Sequence, residues 1–555
     1  MERKELKMRR ILSFLTIFLL IIQMPIPAFA YDIPEKVKIG LSFGSSAIPI
    51  VKLSSKTGLI FGRSDSGGFN QIFKTSSSDT IVVRKDSNFV KNGSQFTEIK
   101  SADSNSGVKI GPYHVQIGGS YDSYQTALDK AEEMKENNVS AYPAFDGSWH
   151  VWYGMLIDSV SAQQSITEIK KMIQETQYSV IEPDSQRVVV NAGEEELLVF
   201  GGTKGYLGIK PNSTDLPAII NINDKPYRGE VEVRRYTGSD MTVINVVVLE
   251  EYLYGVVARE IGASSPAEAI KAQAVVARNY AVNNAGKNSK WGFDMTNTTS
   301  DQAYNGYEWE RPASNNAVDE TKGKLLMYDE KPASTFYFST SGGRTEDVKN
   351  VWSSNGNYPY LVSVEDKYES PSASKAKWEV TLTSEQIKQS LKAIGVDVGD
   401  VLAVRPLEYS EAGRVIKLQI TGTKSEKIFI KSMCRTALGK DVLSQWYTVS
   451  SGSSGSELSA INGQGETLKV TAAGLNVKSV NGVSTISSDI YVKSADGTQQ
   501  VSNTTSASGS GGFKITGRGW GHGVGMSQVG AIGMANAGFD YEKILEWYFN
   551  GTIVE

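Results

Sequence analysis

The chain has 555 residues, a net charge of −4 at neutral pH and one cysteine, Cys434. A slightly acidic chain gives no support to a nucleic-acid partner, and a single cysteine excludes an internal disulfide framework. The length allows about two to four domains held by ordinary hydrophobic cores. Cys434 stands between apolar neighbours and is predicted to be a small buried side chain.

Residues 1–30 have the features of a secretory signal peptide. A basic start precedes an apolar run from Ile11 to Met24, and Ala28-Phe29-Ala30 is a small–x–small cleavage site before Tyr31. The alternative is an uncleaved membrane anchor, but the run is shorter than the roughly 18 apolar residues that span a bilayer. We therefore expect a cleaved, extracytoplasmic chain without a membrane span.

Residues 31–108 read as an N-terminal β-rich segment. Short β-type runs, "KVKIGLSF" and "DTIVVRK", are separated by stretches rich in Ser, Gly and Asn. The segment offers no catalytic candidate.

Residues 109–190 change character, with strands alternating with helices. A strand at Tyr113 to Ile117 precedes a helix, and the strand "SWHVWYGML" precedes a second helix, "SAQQSITEIKKMIQE", and a final run, "YSVIEP". The two halves share the patterns "HVQIGG" and "HVWYGM". This duplication predicts a small split βαβ unit of the ferredoxin-like type.

The pieces "VQIGGSYDS" and "WHVWYGM", with the helix between them, resemble the SPOR domain, a module that binds bare glycan strands of peptidoglycan. In that family the sugar chain lies on the sheet face. The resemblance implies glycan contacts from Gln116 and Tyr121, with Trp149 or Trp152, because flat aromatic faces suit the C–H surfaces of sugars. The alternative is that one of the two tryptophans belongs to the core.

Residues 191–450 contain a predicted helix from Leu249 to Ile261. Leu249, Leu253, Val256 and Glu260 recur on one side of it, so an acid ends an otherwise aliphatic stripe. Burial and the negative end of the helix dipole both disfavour an ionised Glu260. A carboxyl group held protonated near neutral pH is what a general acid requires.

The alternative is a structural Glu260, paired with Arg259 or Arg278. A second helix follows, for which Ser265 is the predicted N-cap, Pro266 the first helical residue and Glu268 the partner in a capping box.

The stretch "FYFSTSGGRTEDV", from Phe336 to Val348, reads as an aromatic strand that runs into a turn. The turn offers hydroxyls and bare amides to sugar hydroxyl and acetamido groups, or it is an ordinary strand end. The candidate contacts are Ser339, Thr340, Ser341, Gly342 and Gly343.

Residues 451–512 are predicted to be a surface insertion of unassigned function. Its ends, "SSGSSGSELSAINGQGE" and "SASGSGG", read as flexible linkers, and "TLKVTAAGLNVKSV" and "DIYVKSADG" between them favour a hairpin or two.

Residues 513–555 carry "GRGWGHGVGMSQVG", with glycine at every second position from Gly517 to Gly525. In a strand, glycine often marks a close approach by a ligand or another backbone. We predict that this glycine ladder is one wall of a glycan groove into which Trp520, His522 and Gln528 project. A dinucleotide fingerprint is excluded because the following βαβ unit and acid are missing.

Several motifs in order resemble the SpoIID/LytB family of stage II sporulation protein D and amidase enhancers. They are "LEEYLYGVVAREI", "SPAEAIKAQAVVARNYA", "STSGGRTE", "YPYLVSV" and "GWGHGVGMSQVGA", which cover about half of the chain. The resemblance implies a multi-domain α+β fold, with a strand-rich mixed α/β domain at 191–450 and 513–555 besides the SPOR-like unit. It also implies a lytic transglycosylase that cleaves between N-acetylmuramic acid and N-acetylglucosamine, with Glu260 as catalyst.

Such an enzyme needs one carboxylate, because the muramic acid C6 hydroxyl is the nucleophile, whereas glycoside hydrolases use two. Asp294, Asp301 and Glu346 stay open as a second acid. Some members of the family bind zinc through cysteine and histidine. This chain has three histidines, two of them (His114 and His150) in the SPOR-like unit, so we predict no metal and no cofactor.

Two other functions stay open. One is a non-catalytic enhancer of an N-acetylmuramoyl-L-alanine amidase, which the absence of zinc ligands would suit. The other is a purely structural protein of the spore or cell wall. The predicted partner is the glycan strands of peptidoglycan, and the predicted location is the cell wall or the extracellular space.

Overall fold

The computed structural model describes residues 31–65, 67–76, 78–99, 107–353, 358–450 and 512–555, and the backbone of short strands between 457 and 501. The predicted signal peptide, 1–30, lies outside these residues. The chain is a strand-rich, mixed α/β protein with more than one hydrophobic core, in keeping with the predicted α+β class. Within the described residues, no helix is both long enough and apolar enough to cross a bilayer.

Among the described residues, one large sheet has seven strands, all antiparallel to their neighbours except the first pair, which is parallel. In order across the sheet, the strands are Met295–Thr296, Lys36–Ser42, Met241–Val248, Glu230–Arg235, Tyr206–Pro211, Leu59–Asp65 and Gly68–Lys74.

A second sheet has ten strands in the part of the chain that the structure describes, with one parallel contact at its centre. In order, the strands are Tyr178–Ile181, Tyr113–Tyr121, Trp149–Leu156, Ala141–Phe145, Glu195–Phe200, Val188–Ala192, Ile81–Lys85, Ile50–Ser54, Ile219–Ile222 and Lys225–Arg228.

The N-terminal segment is interleaved with the chain that follows the 109–190 unit. Its strand Leu59–Asp65 pairs with Tyr206–Pro211, and Ile81–Lys85 pairs with Val188–Ala192. Residues from both regions share one core, so positions 108 and 191 do not separate independent cores. A small sheet, Phe89–Asn92 with Gln95–Glu98 and Val108–Ile110, completes this segment.

The described residues form the following α-helices: α1 (Tyr124–Glu136), α2 (Ser159–Met172), α3 (Leu249–Glu260), α4 (Ala267–Asn283), α5 (Pro312–Glu320), α6 (Ser384–Ala393), α7 (Met433–Thr436), α8 (Gln528–Asn536) and α9 (Tyr541–Tyr548).

The 109–190 region has the order strand, α1, strand, strand, α2, strand. Its strands lie in the spatial order fourth, first, third, second, and both helices pack on one face through a shared apolar cluster. The helices begin at side-chain caps, where Ser123 accepts from the N–H of Thr126 and Asp158 from that of Ser161. The strand Ala141–Phe145 was not predicted, since its proline weakens the β-signal.

The helices α3, α4, α5, α8 and α9 pack into the large core beside the seven-stranded sheet. The capping box predicted for α4 is wrong. The helix begins at Ala267, and the hydroxyl of Ser265 instead donates to the carbonyl oxygen of Ile261 at 2.8 Å. Glu268 binds the N–H of Tyr541 and the amine of Lys271, and so ties α4 to α9.

Residues 377–450 and 513–518 enclose a second core with α6 and α7. Cys434 is fully buried there, as predicted, and burial raises the pKa of its thiol to about 12. The strands form two three-stranded sheets. They are Lys377–Leu382, Phe513–Arg518 and Tyr447–Ser451 in one, and Val401–Tyr409, Val415–Gly422 and Glu426–Ile430 in the other.

The 451–512 insertion joins two neighbouring strands of this second core, since Ser451 lies opposite Phe513. About half of the insertion lies outside the described residues. The backbone of its strands forms three antiparallel pairs, in which "TLKVT" pairs with a preceding strand rather than with "NVKSV". The pairs are Glu457–Ile461 with Thr467–Thr471, Asn476–Ser479 with Gly482–Thr485, and Ile490–Ser494 with Gly497–Val501.

Two further small sheets bring distant parts of the chain together. Leu326–Tyr328 pairs with Lys331–Pro332 and with Ile553–Val554 near the C-terminus. Tyr337–Phe338 pairs in parallel with Met526–Ser527, which leads directly into α8.

Candidate functional site

Glu260 is the last residue of α3 and is half-buried. Leu249, Leu253 and Val256 are buried on the same stripe, as predicted. The helix therefore carries the carboxyl group to the edge of the apolar core, where it still reaches the surface.

Neutral donors surround the Glu260 carboxyl group. Its Oε1 accepts a hydrogen bond from the backbone N–H of Ala303 at 3.1 Å. Burial raises the pKa of Glu260, and the donors from Ala303, Tyr337 and Gln528 partly offset the rise because they stabilise the ionised form. The carboxyl group can thus donate a proton and is also equipped to hold the resulting charge.

The hydroxyl of Tyr337 is held in place from the opposite side. Buried Gln302 donates from Nε2 to this hydroxyl at 3.3 Å, and its Oε1 accepts from the hydroxyl of Tyr252 at 3.2 Å. Because the Tyr337 oxygen already accepts this hydrogen bond, its O–H is oriented to donate to Glu260.

Gln528 reaches the site from the first turn of α8. Ser527 caps this helix by accepting from the N–H of Gly530 at 3.1 Å. The side-chain amide of Gln528 donates to Gln273 of α4 at 3.3 Å, which leaves its second N–H for Glu260. Three elements that are distant in sequence therefore converge on one carboxyl group.

The predicted alternative, in which Glu260 belongs to a structural ion pair, is wrong for the described part of the chain. Arg278 forms a two-pronged ion pair with Glu250, at 2.9 and 2.7 Å. Arg259 is exposed, and its guanidinium lies over the ring of Trp309 at 4.7 Å. Its charge lowers the pKa of Glu260 less than the hydrogen bonds from Ala303, Tyr337 and Gln528 do.

The three candidates for a second acid are engaged elsewhere. Asp294 accepts from two backbone N–H groups at 2.8 and 2.7 Å. Asp301 is ion-paired with Lys287 at 2.5 Å. Glu346 is buried and accepts from the backbone beside it at 2.9 Å. Each carboxylate has a structural role, and none of the three is a free partner for Glu260.

The glycine ladder, predicted to be one wall of a glycan groove, packs closely against backbone and side chains of the protein's own chain. A Cβ at Gly519 would lie 2.6 Å from the carbonyl oxygen of Thr340, and one at Gly521 would lie 2.7 Å from the Cβ of Phe338. These glycines fit a second chain segment closely rather than a ligand. Those with positive φ angles are Gly519, Gly521, Gly523 and Gly525.

His522, predicted to project into the groove, is half-buried and packs among aromatic rings. Its ring centroid lies 5.4 Å from that of Phe338 and 5.0 Å from that of Trp352. The Nε2–H donates to the carbonyl oxygen of Tyr337 at 3.0 Å, and Nδ1 accepts from the N–H of Val524 at 3.1 Å. Burial lowers the pKa of His522 to about 4, so the imidazole is neutral.

Two of the five predicted hydroxyl-and-glycine contacts, Ser341 and Gly342, are occupied by a carboxylate. Glu369 accepts from the backbone N–H groups of Ser341 and Gly342 at 2.6 and 2.8 Å, and from the hydroxyl of Ser527 at 3.0 Å. Thr340 is buried and bridges to Trp520 through its backbone. Through Glu369, the turn is hydrogen-bonded to Ser527 at the start of α8. The sequence pattern of these residues is that of a tight turn.

Three predicted contacts retain accessible groups. Ser339, two residues after Tyr337, is half-buried, although its carbonyl oxygen already accepts from the N–H of Val529 beside Gln528 at 3.0 Å. Gly343 has open space around its α-carbon. The side chain of Trp520 is 45% exposed.

Sequence reasoning missed several residues around Glu260. Tyr337 is flanked by phenylalanines and reads as a core aromatic, Gln302 lies in a loop, and the Ala303 donor is a backbone group without a side-chain signal. The same loop continues to Tyr307 and Trp309, two exposed aromatic side chains. Their exposure next to Arg259 could have been inferred only from the fold.

The predicted contacts in the 109–190 unit are scattered. Trp152 is 1% exposed and packs against His114 on the helix-free face of the sheet, so it is the tryptophan that belongs to the core. Gln116 accepts from the indole N–H of Trp152 at 3.3 Å. Tyr121 and Trp149 are half-buried and pack with the helix-side cluster.

The helix-free face is partly covered. The cluster around Trp152 includes Phe89 and Ile110 of the small N-terminal sheet. Within the described residues, no three His, Cys, Asp or Glu side chains come together as a metal site would require.

The fold and this site define a strand-rich α/β protein with an unpaired, half-buried carboxyl group at the end of a helix. Residues 237–328, which contain Glu260, Ala303 and Trp309, match the family model described as "Stage II sporulation protein" (SpoIID). Residues 345–467 match a model described as a domain of unknown function, DUF8618.

Relatives extend the similarity beyond these segments. The chain is 27% identical over 369 residues to the amidase enhancer of Bacillus subtilis (strain 168), a match that covers 65% of this chain and 49% of the relative. It is 28% identical over 337 residues to stage II sporulation protein D of the same organism, a match that covers 58% of this chain and 78% of the relative. An uncharacterized protein of Brachyspira hyodysenteriae (strain ATCC 49526 / WA1) is 28% identical to it over 334 residues, a match that covers 60% of this chain and 73% of the relative. The chain thus spans about half the length of the amidase enhancer.

Proposed function

We propose that the chain is a lytic transglycosylase that cleaves peptidoglycan glycan strands between N-acetylmuramic acid and N-acetylglucosamine. The observation that carries the proposal is the environment of Glu260, whose pKa is raised by burial and which has no ion-pair partner among the described residues. Such a carboxyl group suits a general acid, because it is protonated over a wider pH range than an exposed glutamate.

The proposed reaction uses Glu260 twice. Its proton passes to the glycosidic oxygen as the bond from C1 of muramic acid breaks. The carboxylate, stabilised by the donors from Ala303, Tyr337 and Gln528, then takes the proton of the C6 hydroxyl. The C6 oxygen bonds to C1, which gives a 1,6-anhydro end and restores the acid. No second carboxylate is required, which agrees with the structural roles of Asp301 and Glu346.

A matched pair of substitutions tests the proposal. Glycan stripped of its peptides by an amidase is incubated with the chain from residue 31 and with its Glu260→Gln variant, and anhydro ends are counted by mass spectrometry. The control is Glu308→Gln, the same chemical change at an exposed position on the nearby loop. We expect the control to retain activity and Glu260→Gln to lose at least about a hundredfold. Equal release by all three proteins would remove Glu260 from the mechanism.

A second candidate function is that of a non-catalytic amidase enhancer. It is favoured by the relative that bears this name, although the match covers only half of that relative. The two functions differ in one readout. An enhancer increases peptide release by a purified N-acetylmuramoyl-L-alanine amidase and yields no glycan products alone, whereas the transglycosylase yields anhydro ends without any amidase.

We also propose that residues 109–190 are a SPOR-like glycan-binding unit. The spatial strand order and the helices on one face are those of a split βαβ unit. On the helix-free face, Gln116 is the remaining candidate contact, since Trp152 is buried. A cleaved signal peptide and a location at the cell wall complete the proposal, because this is where peptidoglycan is found.

A further inference from the structure

A small cleft lies between the edge strand Gly68–Lys74 and the 109–190 unit. Its volume is about 210 Å³, smaller than the roughly 300–1,000 Å³ of pockets for drug-sized ligands. A cleft of this size suits one sugar ring rather than a length of strand. It is formed on the helix side of the unit, opposite the face that holds Trp152.

One wall of the cleft is a fixed aromatic ring. The indole of Trp149 lies with its centroid 4.9 Å from that of Phe145 and 5.6 Å from that of Tyr124. Tyr124 in turn stacks on Phe73 at 4.9 Å. A ring held from two sides offers a flat surface to the C–H face of a pyranose with little further loss of entropy.

The opposite wall carries polar groups that make no hydrogen bonds within the described chain. They are the exposed side-chain amides of Asn70 and Gln71, and the indole N–H of Trp149 is likewise unpaired. An amide offers two donors and one acceptor, a set that matches sugar hydroxyl and acetamido groups.

A β-bulge brings these side chains together. Phe73 lies opposite Phe61, but Gln71 lies opposite Gly62, so Ile72 is the extra residue. In a regular strand, consecutive side chains would point to opposite faces. The bulge re-aims them, so that Asn70, Gln71 and Ile72 all line one cleft.

The charges of the cleft favour a neutral ligand. Arg63, which lines it, is paired with Asp65 at 3.0 Å, and its guanidinium lies 5.8 Å from the ring of Phe145. The carboxylate of Asp65 also accepts from the N–H of Gly67 at 2.8 Å. The Nη groups of Arg63 are left as donors, while Asp65 balances the charge.

We propose that this cleft is a second carbohydrate site, which binds one N-acetylated amino sugar ring of a glycan through Trp149, Asn70, Gln71 and Arg63. The choice of sugar rests on the proposed function, because glycan strands alternate two such amino sugars. The site would hold a strand independently of the Glu260 reaction.

The test uses the chain from residue 31 with Glu260→Gln and 5-fluorotryptophan, titrated with an oligomer of N-acetylglucosamine and followed by ¹⁹F NMR. A Trp149→Phe variant identifies the resonance of Trp149. We expect this resonance to shift saturably, and Asn70→Ala with Gln71→Ala to weaken the binding about tenfold or more. The matched control is Gln163→Ala with Gln164→Ala, which removes two exposed amides from α2.

A Trp149 resonance that stays fixed at high oligomer concentration would overturn the proposal, as would unchanged affinity in the Asn70 and Gln71 double variant. Glycan cleavage by the unsubstituted chain is measured separately. Binding without cleavage would count against the proposed function alone. Cleavage with an unshifted Trp149 resonance would count against this site alone.

Discussion

The imidazole of His522 donates a hydrogen bond to the carbonyl oxygen of Tyr337, whose side-chain hydroxyl supports Glu260. The histidine of the glycine ladder thus acts on the backbone of the strand that carries a site residue. Its ring is also packed between Phe338 and Trp352, so its position is fixed. His522 is a positioning residue, which explains why the ladder lies beside the site without lining it.

His522 makes the protein sensitive to acid. Burial lowers its pKa to about 4 from the ordinary 6.5, and a second ring proton would face the N–H of Val524. As pH falls from 6.5 to 4, the unfolded state binds a proton that the folded state does not, so stability is lost. We expect His522 to remove about 3 kcal/mol of unfolding free energy across this window.

The measurement is denaturant unfolding of the parent and of His522→Gln, which keeps a donor and an acceptor, at several pH values. The variant should be less stable at about pH 7, and the difference should shrink steadily toward about pH 4. A difference that does not change with pH would mean that His522 titrates normally.

Asp366 has the opposite effect on how stability depends on pH. Burial raises its pKa to about 6, the bond from Tyr548 opposes the rise, and the charge of Glu369 adds to it. Between pH 3.8 and 6 the folded state holds a proton that the unfolded state has released, so stability falls as pH rises. The full effect is about 3 kcal/mol.

Asp366→Asn should therefore gain stability relative to the parent as pH rises from about 4 to about 6, as measured by the same unfolding series. The slopes from Asp366 and His522 oppose each other in this window, so each single variant should reveal the slope of the other residue. If the double variant keeps either slope, another group is responsible for it.

Sequence patterns predicted Glu260 because the stripe of Leu249, Leu253 and Val256 depends only on helical spacing, and Gln528 also lies at this site. The same patterns predicted sugar contacts at the turn of Ser341 and missed its hydrogen bond to Glu369. This partner lies 28 positions away, and no local pattern links the two residues. The glycines indicated a close approach, but a sequence does not say whether the approaching group is a ligand or the chain itself.

Tyr337→Phe should move the pH profile of glycan cleavage. Its hydroxyl favours ionised Glu260, so its removal should raise the pKa of Glu260 further. Cleavage requires the protonated acid, and we expect the alkaline limb of the rate to shift to higher pH while the maximal rate falls about tenfold, because the carboxylate is less stabilised. Initial rates of anhydro-end formation from about pH 4 to about pH 9 check this.

Tyr307→Phe is a matched control, since it removes the same hydroxyl from an exposed ring on the nearby loop. It should leave the alkaline limb unchanged. A shift of equal size in both variants would show that the hydroxyl of Tyr337 does not act on Glu260.

Trp309 is expected to contribute to substrate binding. Its ring is 37% exposed and is held by the guanidinium of Arg259, the neighbour of Glu260. Trp309→Ala should raise KM for stripped glycan about tenfold with a smaller change in kcat, since it removes binding surface rather than the acid. Tyr409→Ala, at an exposed aromatic residue that ends the strand Val401–Tyr409, should leave KM unchanged. A lower kcat alone in Trp309→Ala would contradict the role of Trp309 in binding.

Gly525 tests the ladder itself, because its Cβ position is taken by the backbone. It has a φ of 76°, and a side chain there would overlap the carbonyl oxygen of Phe336. Gly538, after α8, has a φ of 89° but nothing within 4 Å. Gly538→Ala should lower the free energy of unfolding by about 1 kcal/mol, for the positive φ alone.

Gly525→Ala adds an overlap with backbone that no side-chain movement can relieve, so we expect it to lower the free energy of unfolding by at least about 3 kcal/mol, measured in urea. Equal costs would mean that the ladder needs its glycines for conformation and not for the close approach to the strand of Tyr337.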